Sequence, residues 1–268
     1  FVSGLSHWFR AIRWKLLLQP LGQNPNTSNT FFSVMVGYLA NFAIHRIGEV
    51  TRCGLLTKYE KVPFTEAFGS VIAERAFDFV CLILLFLAVL GIEFAKISGI
   101  ANDLIFSTLS DKLHTLLQNR ILVITCAIIG IVIFAAIIYF RKKIQQLISG
   151  KIKGFLLGIW QGLLSIKNVK RPWLFILQTA LIWLMYVLQV YVVFFAFAET
   201  AHLSIVVAMV ITVFGSIGII AVPGGTGAYQ LIVINILMSV YSISEIPSNA
   251  FAWSVWAAQF LLILSLGL

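Results

Sequence analysis

Runs of about twenty apolar residues recur along this 268-residue chain, at about 67–91, 121–140, 173–197 and 249–268. That length is what the hydrocarbon core of a bilayer demands of a crossing helix. In lipid every backbone N–H and C=O must find a partner within the protein, which limits spanning segments to helices and closed barrels. The chain is therefore expected to be an all-α polytopic membrane protein, and its 60% hydrophobic and 11% charged residues agree, against about a quarter charged in soluble domains. Residues 1–9 read as the tail of a further span, closed by the aromatic and basic cluster Trp8, Arg10, Arg13, Trp14 and Lys15 that suits a membrane interface. Since Leu268 is still apolar, both ends are expected to lie inside a larger membrane domain. Cys53, Cys81 and Cys126 fall in or beside apolar stretches without metal-ligand spacing and read as small buried hydrophobes.

Loop charge sets the expected orientation. Residues 141–172 hold Arg141, Lys142, Lys143, Lys151, Lys153, Lys167, Lys170 and Arg171 and no acid, which places that loop in the cytoplasm. Apolar residues from Ile144 to Leu163 alternate there with lysines and glutamines, as in a segment lying in the interface plane, where lysines attract anionic headgroups. Walking back through the spans puts Lys58 and Lys61 inside. The stretch 31–57 then starts and finishes on the cytoplasmic face, and its first apolar arm, 31–44, is short for a crossing. It reads as a re-entrant hairpin turning at NFAIHRIGEVTRC, residues 41–53.

Walking forward, Glu199 and His202 fall outside, and residues 203–241 hold two apolar arms around AVPGGTGAYQ, residues 221–230. A second re-entrant hairpin entering from outside fits. Gly48 and Gly227, one in each break, stand 179 residues apart. Residues 1–268 thus read as one transmembrane domain of inverted repeats, about 1–91 and about 173–268, each with a broken-helix hairpin between spans. Broken helices at matching positions of two halves point to a transport site. The simpler reading makes 203–221 and 228–241 ordinary crossings.

Charges inside the apolar runs single out the candidate site. Glu74, Arg75 and Asp78 lie within the span that begins near Ala67, and Glu74 and Asp78 share one helix face. Each charge near the bilayer centre costs about 2.5–3.5 kcal/mol even on the lenient insertion scale, so the three must face protein, water or one another. Arg46 and Arg52 flank the first break, and guanidinium forks match phosphate geometry. Arg46, Arg52 and Arg75 stand against Glu49, Glu74 and Asp78, a three-against-three balance expected to be neutral until an anion displaces the acids. The structural alternative is an ion-pair cluster stapling helix to hairpin, for instance Arg46 with Glu74 or Arg75 with Glu49. Gly224, Gly225 and Gly227 lack the Lys-Ser/Thr of a nucleotide-binding phosphate loop. They expose backbone to a substrate or let helices pack closely. Asn41 lines the first break, and His45 reads as a hydrogen-bonding spacer. No nucleophile with a base partner, metal cluster or cofactor motif is present. The net charge of +9 follows membrane topology and gives no argument for nucleic acid.

In order and spacing, Asn41, Arg46, Gly48, Glu49 and Arg52, then Glu74, Arg75 and Asp78, then Pro223, Gly224, Gly225 and Gly227 resemble the membrane region of lysylphosphatidylglycerol synthases and their stand-alone relatives. The chain is similar to the flippase domain of the multiple peptide resistance factor, and RAIRW at residues 10–14 resembles the family's end of an early helix. The resemblance implies a multi-pass protein of the bacterial or archaeal plasma membrane that handles lipids or lipid-linked phosphates. It departs at His45, where the family usually has proline, and in lacking the soluble aminoacyl-transferase domain.

The expected function is a lipid flippase or translocase, moving a phospholipid or polyprenyl-phosphate-type lipid through an Arg- and Glu-lined cavity, with no catalytic residue and no cofactor. Its partners would be anionic or phosphate-bearing membrane lipids, and a second copy or an envelope enzyme. The alternatives are a non-catalytic lipid-binding scaffold for an envelope enzyme and a lipid headgroup transferase with Glu74 or Asp78 as base.

Overall fold

The computed structural model describes residues 1–44, 46–100 and 169–268. Phe1–Ile92 with Gly158–Leu268 make one compact unit and Glu93–Leu157 a second. Among the described residues every regular element is helical. Among the described residues three helices are long and apolar enough to cross a membrane, within Phe64–Glu93, Pro172–Phe194 and Glu245–Gly267, where spans were expected at 67–91, 173–197 and 249–268. The expected span at 121–140, residues 141–168 of the basic loop, His45 and Cys126 lie outside the described residues.

Helix α1, Val2–Leu18, runs unbroken through the cluster expected at an interface. Residues 6, 7, 10, 11, 13, 14, 17 and 18 recur at helical spacing and form one buried face. Arg10, Arg13 and Trp14 are inside the protein, so the interfacial reading of these three residues is wrong. Their counter-charges sit on a helix some sixty residues further on, beyond the reach of any local pattern.

After a 3-10 turn at Gln19–Leu21, α2 spans Thr27–Ala43 and opens on Asn26, whose side chain accepts a bond from the Ser28 N–H at 2.9 Å. Ile44 then leaves the helix in extended conformation (φ −137°, ψ 126°), Arg46 adopts φ 61°, and α3 spans Ile47–Glu60. Helix α4, Phe64–Ile100, carries a kink at Glu93. The chain resumes with α5, Pro172–Phe194, α6, Ile205–Ala221, and α7, Ala228–Tyr241, and ends with α8, Glu245–Gly267.

The α2–α3 and α6–α7 pairs match element by element. Both first arms have 17 residues and both second arms 14. Val222 ends α6 in extended conformation (φ −132°, ψ 145°), as Ile44 ends α2, and a left-handed residue follows, Gly224 at φ 62°. Both second arms close on a left-handed residue, Lys61 at φ 61° and Ser242 at φ 54°. Gly37 and Gly215 stand at the same place in α2 and α6, and each faces the second residue of the following arm. A Cβ on Gly37 would meet the Gly48 carbonyl oxygen, and one on Gly215 would meet the Tyr229 ring. Small residues at such contacts let backbones approach where lipid supplies no hydrophobic drive between helices.

Trp14, Leu18, Val34, Cys53, Leu56, Ala67 and Val71 join α1 to α4, and Val187, Phe194, Ile211, Val233, Leu237, Phe251 and Val255 join α5 to α8. Two smaller clusters tie these sets together, Ala11, Phe31 and Met35 with Ile263, and Leu16 and Leu17 with Val169 and Phe175. Where the two breaks meet, a Cβ on Gly224 would collide with the Phe42 ring. The Gly224 carbonyl accepts a bond from Trp256 Nε1 at 2.9 Å, and Phe42 packs edge-on against Phe260 at 5.0 Å.

Candidate functional site

Glu74 is the centre of a buried charge cluster. Helix α4 carries it on the face turned toward α1 and α3, and its side chain has no exposed surface. Oε1 accepts from Arg10 Nη1 at 2.5 Å and from Arg13 Nη2 at 3.3 Å, and Oε2 accepts from Arg52 Nη2 at 3.0 Å. One turn along α4, Asp78 sits 2.8 Å from Arg10 Nη1 and 2.6 Å from Arg13 Nη2. Helix α5 completes the inner wall: Arg10 donates to the Tyr186 hydroxyl at 2.8 Å and Arg13 to Thr179 Oγ1 at 3.2 Å. Arg52 lies over the Trp14 ring at 4.6 Å, and Trp14 is pinned by its indole N–H donating to Ser70 Oγ at 2.8 Å.

Arg75 and Glu49 form the outer edge of the cluster. Arg75 Nε is 3.5 Å from Glu49 Oε1, and Arg75 Nη1 is 3.9 Å from Asp78 Oδ2. These are longer contacts than the inner ones, between side chains 38% and 21% exposed for Arg75 and Glu49. Beside this pair a narrow crevice of about 10 Å³ opens between α2, α3 and α4, lined by Val34, Gly37, Tyr38, Asn41, Gly48, Glu49, Arg52 and Arg75. Such a space admits about one water. Among the residues that line it, the buried Arg52 Nε and Nη1, Arg75 Nε and Glu49 Oε2 have no hydrogen-bond partner among the described residues.

Of the residues expected at the site, the structure brings together Glu49, Arg52, Glu74, Arg75 and Asp78. Arg46 stands exposed at the break itself. Asn41 holds the hairpin shut, its Oδ1 accepting from the Gly48 N–H at 2.7 Å. Gly224, Gly225 and Gly227 lie in the second break at φ 62°, 71° and 82°, and none of them lines the crevice. Sequence reasoning missed Arg10 and Arg13, and with them Tyr186, Thr179 and the buried His7. A signal existed: arginines at spacing three on one helix complement acids at spacing four on another. With Arg10, Arg13, Arg52 and Arg75 against Glu49, Glu74 and Asp78, the expected three-against-three balance becomes four against three, an excess of one positive charge.

The described family of the lysylphosphatidylglycerol synthase transmembrane region matches residues 1–267. The chain belongs to that family. Membership makes it an integral membrane protein, and the match concerns the family's transmembrane region with no catalytic domain. A UPF0104 membrane protein of Methanocaldococcus jannaschii is 33% identical over 82 residues, covering 30% of this chain and 24% of the relative. The chain thus aligns with about a quarter of that relative's length. No solved structure matches the chain.

Proposed function

We propose that the chain is a lipid flippase or translocase of the plasma membrane that carries a phosphate-bearing lipid between leaflets. The phosphate enters the crevice between α3 and α4, Arg52 and Arg75 hold it, Arg46 guides it at the break, and the acyl tails stay in lipid. The observation that carries this reading is an excess of buried arginine beside a crevice that Arg52 and Arg75 line, with Arg52 Nε and Nη1 unpartnered among the described residues. Guanidinium N–H groups in a dry site are strong phosphate donors. At about 10 Å³ the crevice takes a phosphate only when α3 and α4 part, and the weak Arg75–Glu49 edge is where parting costs least.

In this reading α2–α3 and α6–α7 are re-entrant hairpins of an inverted repeat, about 1–91 and 173–268, with the loop 141–172 cytoplasmic. The equal arm lengths, matching break conformations and the contact between Gly224 and Phe42 support it. So does the division of labour: Arg52 and Glu74 take the places held by the buried Val233 and Val255 in the second half. One half carries the charge and the other supplies an apolar counterpart to rock against.

Reconstitution into liposomes with a labelled phospholipid tests the proposal. Wild-type protein accelerates transfer between leaflets, and Arg52→Ala lowers the rate at least tenfold. A wild-type protein inert toward every phospholipid and polyprenyl phosphate tried would overturn it. The scaffold reading draws on a different observation, that Glu74 is tied to three arginines from two other helices. It requires lipid transfer to be absent while Arg52→Ala leaves binding to an envelope enzyme intact.

A further inference from the structure

Arg52 is held by three neighbouring helices, each through a different part of its side chain. Its stem lies against α2, where a Cβ on Gly37 would stand 3.1 Å from Arg52 Cβ. Nη2 donates to Glu74 Oε2 of α4 at 3.0 Å. The guanidinium lies over the Trp14 ring of α1, its Cζ 4.6 Å from the ring centroid. A guanidinium laid on an aromatic face spends none of its N–H groups there. Trp14 therefore holds Arg52 without taking a donor from the crevice, and the buried Nε and Nη1 have no hydrogen-bond partner among the described residues.

The ring is itself fixed. Trp14 and Ser70 have no exposed surface, and the indole Nε1 donates to Ser70 Oγ at 2.8 Å. Ser70 Oγ donates in turn to the Ala67 carbonyl at 2.7 Å, which spends its one proton and leaves its lone pairs to the indole. Ser70 and Glu74 stand one turn apart on the same face of α4. One secures the ring, and the other secures the guanidinium that lies on it.

A phosphate acts differently on these two holds. Its oxygens compete with the Glu74 carboxylate for the same N–H groups. The ring attracts the cation through its face, whichever anion sits at the guanidinium edge. Without that face, an arginine released by Glu74 swings on a long flexible stem, and each binding event has to order it again. Resting on the phosphate-site reading above, we propose that Trp14 is a positioning residue that keeps the Arg52 guanidinium in place while Glu74 gives way to the ligand's phosphate. Trp14 does not touch the ligand. It acts through Arg52, and Ser70 acts through Trp14.

Transfer of acyl-labelled phosphatidylglycerol in liposomes holding the purified protein, read as initial rate against the mole fraction of labelled lipid, tests the proposal. Trp14→Phe and Trp14→Leu both lose the indole N–H and remove comparable volume, and only Phe keeps an aromatic face. Trp14→Leu is expected to raise the half-saturating lipid fraction about tenfold and Trp14→Phe about twofold, each with a maximal rate within about twofold of wild type. Ser70→Ala changes little volume and lets the ring tilt, for an expected rise of about threefold. Arg52→Lys keeps the charge and loses the plane, so Trp14→Leu in that background is expected to add less than about a twofold shift. Equal half-saturation in the Phe and Leu variants, an undiminished Trp14→Leu shift beside Arg52→Lys, or a fall in maximal rate alone makes Trp14 a packing residue. Each of these overturns positioning and leaves the phosphate site standing. If neither Trp14 variant folds, the Ser70→Ala shift and its loss beside Arg52→Lys are read the same way, and no shift from Ser70→Ala overturns positioning. A wild type that transfers none of the labelled lipid, or whose rate Arg52→Ala leaves unchanged, overturns the phosphate site and positioning with it.

Discussion

Glu74 holds the first half together, because one carboxylate answers three guanidinium groups from α1 and α3. Glu74→Gln keeps the shape and removes the charge, leaving those arginines facing an excess of two. Breaking a buried ion pair from one side costs about 3–5 kcal/mol. The expected outcome is a variant that loses monodispersity in size-exclusion chromatography or melts far below wild type. Glu49→Gln, at a side chain 21% exposed and 3.5 Å from a single arginine, is expected to cost less than about 1 kcal/mol. Equal effects from the two would show that the cluster is not graded from core to rim. The acids of this site were legible in the sequence because Glu74 and Asp78 interrupt an apolar run on one helix face. Their main partners were not. Arg10 and Arg13 lie next to Trp8 and Trp14 in a pattern that a membrane interface also produces, and only the packing of α1 against α4 and α5 separates the two cases.

At the scale of the element, the α2–α3 hairpin depends on the absence of a side chain at one contact. A Cβ on Gly48 would run into the Gly37 carbonyl oxygen and the Asn41 side chain, while Asn41 already accepts the Gly48 N–H. Forcing extra volume into such a contact costs about 1–3 kcal/mol. Gly48→Ala is therefore expected to lower the melting temperature and, by prising α3 from α2, to draw Arg52 off Glu74 and cut lipid retention. Gly54→Ala on the same helix meets nothing within 4 Å and is expected to be neutral or to stabilise by up to about 1 kcal/mol through helix propensity. A Gly48→Ala variant as stable and as lipid-bound as Gly54→Ala would remove the hairpin contact from the account. Both breaks were visible as polar, glycine-bearing interruptions of apolar runs. What the sequence could not convey is that the first break turns on Arg46 in a left-handed conformation with no glycine at that residue, since this conformation is rare for arginine.

For the whole molecule, the α2–α3 and α6–α7 pairs share element lengths and break geometry while sharing little of their chemistry, which is why the proposed repeat rests on spacing and not on residue identity. Whether the hairpins turn back inside the bilayer decides between transport and four ordinary crossings, and the ends of the arms alone cannot tell, since a pair of crossings also returns to its starting face. The tips can. After replacement of Cys53, Cys81 and Cys126, single cysteines at Gln23 and Lys61 flank α2–α3, single cysteines at Ser204 and Ser242 flank α6–α7, and single cysteines at Arg46 and Thr226 mark the breaks. With a membrane-impermeant thiol reagent, the inverted repeat has Gln23 and Lys61 react only from the cytoplasmic face, Ser204 and Ser242 only from outside. The Arg46 position stays shielded from outside and the Thr226 position from the cytoplasm, because each tip stops within the membrane. Reaction of the Arg46 position from outside as fast as Ser204 would make α2 and α3 full crossings. All four flanking positions reacting from one face would leave two hairpins of the same direction, and alternating access by rocking one half against the other would lose its geometric basis.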